Sequence, residues 1–288
     1  MKNLLKIELN KAFFSKWFVV ALLLGAVLAI ISAWQTAVAF YGENGPLAYI
    51  EYCMDKSVIP KDGLDGMTLY NRWLGATLDI GSVAFFYLVP LLAVLPCGWN
   101  LSEEINSGYL KVVVPRIGRR RFFSAKLLTA FLSGGAAVAI PLLFSLAITA
   151  AIVPAITPHP YNNIYYWVYH GDFLSSLAFS HPLVYALIYI VIAFTFSGCF
   201  ACLPLLVALR SEKRIAALIV PYIAVILCDA ARNFLNYICY IEISPLNLMH
   251  SLPPENASKP FVLISWLVIF SAVILVFGLR KGVNHEIV

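Results

Sequence analysis

The sequence predicts an all-α integral membrane protein with six transmembrane helices, and three observations carry that expectation. Hydrophobic residues make up 61% of the 288, charged residues only 12%, and mean hydropathy is +0.84. Soluble domains run near ~45–50% apolar and ~25% charged, so these charges are too few to clothe a soluble surface. Apolar stretches of about 20 residues, the length that crosses ~30 Å of hydrocarbon, recur along the chain. Lys and Arg gather in alternate connecting segments. The same composition excludes a disordered, fibrous or secreted disulfide scaffold.

Spans are expected at 17–40, 79–99, 124–156, 182–209, 215–239 and 260–279, within one transmembrane domain covering 1–288. The first follows a basic segment and contains Ala37-Val38-Ala39, which has the look of a cleavage site. Its apolar run exceeds the ~7–15 residues of a signal-peptide core, so an uncleaved first helix is expected. The third is long enough to tilt or to project beyond the bilayer. The fifth carries Asp229 and Arg232 in its distal half. A spacing of three puts them on one helical face, where they can pair. Charges inside a span are functional candidates because they cost several kcal/mol unless satisfied.

Positive residues orient the spans. With the N-terminus inside, 15 of the 20 Lys and Arg fall on the cytoplasmic side; Lys56, Lys61, Arg72, Arg232 and Lys259 fall outside. Both termini are then cytoplasmic. The net charge of +5 is accounted for by topology, and no nucleic-acid partner is needed to explain it.

The segments between spans are read in turn. Residues 2–16 set Glu8, Lys11 and Ser15 on one side of a helical wheel, with Leu5, Leu9, Ala12 and Phe13 broadly opposite. Such a segment can lie along the membrane interface as an amphipathic helix; a plain basic anchor fits equally. The outer loop 41–79 holds Glu43, Glu51, Asp55, Asp62 and Asp65 without calcium-loop spacing, and reads as a solvated acidic loop. His159, His170, Asp172 and His181 around the second outer loop lack metal-ligand spacing, and its Tyr161, Tyr165, Tyr166, Trp167 and Tyr169 read as an interfacial belt. Residues 240–260, with Pro245, Pro253 and Pro254, are too short for another pair of crossings and fit a re-entrant or interfacial helix. Cys199 and Cys202 form a CxxC inside a span with no second pair, so no zinc site is expected. Cys53 and Cys239 are the two thiols that could face outward, and a disulfide between them is open.

The most informative stretch is Ser102 to Lys126, SEEINSGYLKVVVPRIGRRRFFSAK. Ser102 reads as a helix cap with Glu103 and Glu104 in the first turn, interrupted by Gly108. A basic cluster then leads into the third span. A compact, highly charged element at the membrane face suits docking of a cytoplasmic partner.

These residues resemble the permease subunits of type-2 ABC exporters. That family carries, after its second span, an acidic residue, a Gly, a short apolar run, Pro, Arg and a closing Lys. The matching positions here are Glu103 or Glu104, Gly108, Leu110 to Val114, Pro115, Arg119 and Lys126. Tyr109 departs from the small hydroxyl residue often found after the Gly, and Arg116 crowds the Pro-to-Arg spacing. The resemblance implies a cytoplasmic coupling helix in this loop and an outer re-entrant helix before the sixth span. It implies a non-catalytic subunit in a bacterial cytoplasmic membrane, paired with a second permease copy or a sister permease. Two copies of a separate ATPase would bind ATP and Mg, with Glu103, Glu104 and Arg119 as candidate contacts. Spans two and five would line the pathway. The chain itself has no GxxxxGK[ST] phosphate loop and is expected to need no cofactor of its own.

An amphipathic cargo suits the smooth, aromatic-rich, nearly uncharged spans, and a cytolytic or antimicrobial peptide is the leading expectation, with lipid or drug efflux behind it. An ion-coupled secondary transporter is the rival reading, yet apart from Asp229 and Arg232 no span interior holds an acid or base to relay ions. A membrane protease is disfavoured. Glu103-Glu104 is followed by Gly108 where such a signature needs Arg, and His285-Glu286 lacks a second His four residues on.

Overall fold

The computed structural model describes residues 2–43, 45–56, 67–98, 100–158, 168, 172–208, 214–239, 241–251 and 258–276. Among them there are helices and turns and no strand. In chain order these are α1 (Lys2–Phe13), α2 (Lys16–Tyr41), α3 (Pro46–Asp55), α4 (Leu69–Arg72), α5 (Ile80–Val94) and α6 (Asn100–Asn106). There follow α7 (Tyr109–Ile117), α8 (Arg119–Ile152), α9 (Ser175–Ser180), α10 (Pro182–Ala208), α11 (Arg214–Cys239) and α12 (Pro260–Val273), with a 3-10 turn at Asn247–Met249 before the last.

Among the described residues four helices are long and apolar enough to cross a membrane: α2, α8, α10 and the Ile215–Arg232 stretch of α11. At ~1.5 Å per residue, the 26, 34 and 27 residues of α2, α8 and α10 reach about 39, 51 and 40 Å. Six such helices were expected. The other two apolar helices, α5 and α12, have 15 and 14 residues, about 22 and 21 Å. The second expected span therefore stops at Val94 and does not run to 99. Pro96 has no N–H, and its ring would strike the carbonyl four residues back. The chain leaves the helix there in a turn, with the Gly98 N–H on the Val94 carbonyl at 2.7 Å. α12 continues in a wider turn to Val276, where the described residues end. α8 begins at Arg119, earlier than 124, and stops at Ile152, where Val153 turns extended ahead of Pro154.

Close approach of backbones holds α8 against α10. A Cβ on Gly134 would stand 2.2 Å from the Ala201 Cβ and 2.7 Å from the Ala93 carbonyl oxygen, so only a bare Cα fits. Phe85, Phe122, Tyr189, Phe196 and Phe200 fill the interior around this seam. The outward face of α2 exposes Leu23, Val27, Ile30 and Trp34, a continuous apolar surface of the kind lipid covers.

In the stretch 41–79, read as a solvated acidic loop, Glu43, Glu51 and Asp55 are exposed, and Asp62 and Asp65 lie outside the described residues. Its second part folds inward, with Trp73, Leu74 and Ala76 fully buried. Three polar links explain why. The Leu74 N–H donates to Ser145 Oγ at 3.0 Å, Ser82 Oγ donates to the Leu74 carbonyl at 2.7 Å, and the Ser251 N–H donates to the Gly75 carbonyl at 2.8 Å. Asp79 caps α5 through the Ser82 N–H at 2.8 Å and accepts a second bond from Ser32 Oγ at 2.6 Å. The segment's backbone groups are thus satisfied by protein, which permits burial.

Candidate functional site

Residues 100–126 fold as two short helices and the start of a long one, separated by glycines. Gly108 (φ +73°) closes α6, and Gly118 (φ +89°) joins α7 to α8. Both sit where a Cβ costs roughly 1–2 kcal/mol, which is why the chain reverses at these two points. Ser102 is not the cap expected of it. α6 starts at Asn100, so Ser102 lies within the helix, its buried hydroxyl without a hydrogen-bond partner. α7 is amphipathic: Leu110 and Val114 are buried, while Tyr109, Val112, Pro115 and Arg116 are exposed.

The acidic and basic residues of this stretch separate into two groups. Glu103 is exposed and Arg119 half-buried. Glu104 and Lys126 are each 5% exposed and face inward. Lys126 Nζ on α8 donates to Glu104 Oε1 on α6 at 2.7 Å and to Glu8 Oε2 on α1 at 2.6 Å. Lys11 Nζ on α1 donates to the same Glu104 oxygen at 2.6 Å. Two carboxylates and two ammonium groups thus make a neutral, four-membered network joining three helices far apart in sequence. Lys126 also lies 5.6 Å from the centre of the Phe122 ring.

This arrangement redefines the N-terminal helix. Of the side that the wheel gives to Glu8 and Lys11, Glu8 faces protein and Lys11 stays half-exposed. Glu8 is 5% exposed, whereas Ile7 at 62% and Phe14 at 86% point outward. Burial pulls the Lys11 ammonium down; the hydrogen bond to Glu104 and the charges of Glu104 and Glu8 outweigh it, leaving its pKa above the ordinary lysine value. Sequence reasoning set Glu8 and Lys11 on one side of α1 and missed that they pair with Lys126 and Glu104. The available signal was Lys126, a lone cation embedded in FFSAKLLTAF, which calls for a buried counter-charge.

At the opposite end, Asp229 and Arg232 both line one cavity of about 140 Å³. Asp229 Oδ1 accepts from Ser244 Oγ at 2.5 Å, a tie from α11 to the segment before the 3-10 turn. His250 is buried and stacks on Phe86, ring centres 3.6 Å apart. Burial, and then the neighbouring Arg232 charge, push its pKa down to about 3, so its imidazole is neutral at physiological pH. Cys53 is a buried free thiol on α3, and Cys199 and Cys202 are buried free thiols on α10. The Cys239 side chain, His159, His170, the aromatic cluster 161–167, Tyr169, Pro253, Pro254, His285 and Glu286 lie outside the described residues.

No known protein family, curated protein or solved structure matches this chain.

Proposed function

We propose that this chain is the membrane subunit of an ATP-driven exporter of the type-2 ABC kind. In this reading α5 and α12 join the four long helices as spans two and six. The end bearing α1, α6 and α7 is cytoplasmic, as the Lys and Arg distribution favours. One observation carries the reading: the loop between α5 and α8 is a folded, outward-facing helix pair wired by buried charges to two other helices. A plain tether would need neither the left-handed glycines nor the network. Such an element can pass a push at its surface into α8, because a packed joint cross-linked by charge-assisted hydrogen bonds moves as a unit.

The docking face consists of Glu103, Tyr109, Val112 and Arg116, with Arg119 to Arg121 beside it. Glu104 and Lys126 hold that face in place from beneath and leave contact with the ATPase to the others. α1 lies in the interface, Ile7 and Phe14 toward lipid. ATP and Mg belong to the partner ATPase. Two permease copies, or one copy and a sister chain, enclose the pathway, and the cargo is amphipathic, with a cytolytic or antimicrobial peptide as the first candidate.

The test is purification of the tagged chain from its native membrane in mild detergent. An ATPase with a GxxxxGK[ST] loop is expected in equal amount, and the Y109A/R116A double variant is expected to lose it without a change in melting temperature. A chain that purifies alone, or a variant that retains the ATPase, overturns the docking assignment.

A further inference from the structure

The cavity between α5 and α11, the helices of spans two and five, has the chemistry of a ligand site. Its wall combines Asp229, Arg232, Asn247 and His250 with apolar Leu78, Val83, Phe86, Tyr87 and Leu246. In this wall Asn247 Nδ2, a donor, and His250 Nδ1 are buried without a hydrogen-bond partner among the described residues. Leaving such groups unpaired costs roughly 1–3 kcal/mol each, which a bound polar molecule would relieve. His250 is only 5% exposed, and Phe86 fixes its ring by stacking, so the orphaned nitrogen cannot rotate toward solvent.

Charge balance narrows the ligand. One carboxylate and one guanidinium border the cavity beside a neutral imidazole, so the wall is net neutral. A ligand with net charge would leave an uncompensated charge in a low-dielectric site, whereas a zwitterion matches the wall at both ends. The ammonium end is served by Asp229 and, in the Nε2–H tautomer, by His250 Nδ1, and both then need N–H donors. A primary ammonium supplies these and a quaternary one does not. The anionic end is served by the Asn247 amide and the Arg232 guanidinium, the side chains suited to oxyanions.

The rim identifies the carrier. Leu78, Val83 and Tyr87 line the cavity and are 47%, 40% and 46% exposed, forming an apolar approach on the flank of α5. At ~30 Å³ per water, about 140 Å³ is the space of roughly four to five waters. A headgroup fits that volume, and acyl chains would stay on the rim. We propose that this cavity binds the head of a phospholipid bearing a primary ammonium and a phosphate, the ethanolamine class, with its chains along Leu78, Val83 and Tyr87.

Native mass spectrometry of the full chain, purified without any ATPase, tests this apart from the exporter reading. The probes are palmitoyl-oleoyl phosphatidylethanolamine, phosphatidylcholine and phosphatidylglycerol with the same acyl chains, and free O-phosphoethanolamine. Phosphatidylethanolamine is expected to be retained at least tenfold better than the other two lipids. D229N and N247A are each expected to lose that preference, and E51Q, at an exposed carboxylate on α3, to keep it. N247A leaves the Ser244–Asp229 bond in place, so it decides the matter even where D229N fails to fold. Equal retention of the three lipids, or an unchanged preference in N247A, overturns the proposal. Free phosphoethanolamine binding as tightly as the lipid would overturn the lipid as its source.

Discussion

Replacing Lys126 by Met tests the network at its centre. The substitution keeps the apolar stem and removes the ammonium that bonds Glu8 at 2.6 Å and Glu104 at 2.7 Å. All three side chains are only 5–6% exposed, so solvent screening offers little relief. Stranding a buried ionic partner costs about 3–5 kcal/mol. Glu104 keeps Lys11 at 2.6 Å, but that lysine side chain is 48% exposed, and a half-solvated pair of this kind is worth about 1 kcal/mol or less. The expected loss for K126M is therefore near the lower bound, about 3 kcal/mol. Adding E8Q removes the stranded charge, and K126M/E8Q is expected to recover at least half of that loss, a coupling readable by double-mutant cycle. The assay is SDS-induced unfolding followed by the reactivity of Cys97, a buried thiol hydrogen-bonded with Ser133 at 3.3 Å. A K126M midpoint equal to wild type, or a double variant no more stable than K126M, would refute the reasoning.

Four further outcomes are expected. G108A should lose about 1–2 kcal/mol purely through its left-handed backbone, since nothing lies within 4 Å of the added Cβ; a melt no lower than wild type counts against the turn geometry. Gly134→Val should cost more than G108A, because its Cβ would meet Ala201 at 2.2 Å and overpacking costs about 1–3 kcal/mol or more; unfolding midpoints decide it. His250 faces Phe86 from α5 and shares its cavity with Asp229 and Arg232 from α11. With its pKa at about 3 and below the unfolded value of about 6.5, its stabilisation is complete above pH 6.5 and is lost as pH falls through the folded pKa. At pH 5 that loss is about 2 kcal/mol, and H250F should lack it, so the wild-type-minus-variant stability should fall by about that much as pH drops to 5; parallel curves would refute it. A thiol at position 109 should be labelled by a membrane-impermeant maleimide in inverted vesicles and not in intact cells, and the reverse pattern overturns the orientation.

Much of the α-helical layout was legible in one dimension. Apolar content is a local property, so hydropathy placed α2, α10 and α11 within about two residues of 17–40, 182–209 and 215–239. It likewise marked Gly108 as a break, because the left-handed turn is a property of that residue alone. Hydropathy could not decide how long a helix persists against a proline, which is why α5 stops at Val94. Nor could it see that 68–79 folds inward, since that depends on Ser145 and Ser251, residues distant in sequence that satisfy its backbone.

The candidate site divides along the same line. Sequence by itself determined that charges concentrate at 102–126, that Asp229 and Arg232 stand on one helical face, and that α1 has a polar side. Only the tertiary structure decided which way those charges point. Glu8 and Lys126 are 118 positions apart, and a helical wheel finds a polar stripe without saying whether water or a counter-charge faces it. Desolvation makes the difference: an ammonium drawn into the protein at Lys126 is tolerable only where two carboxylates arrive with it, and their arrival is a matter of packing between helices.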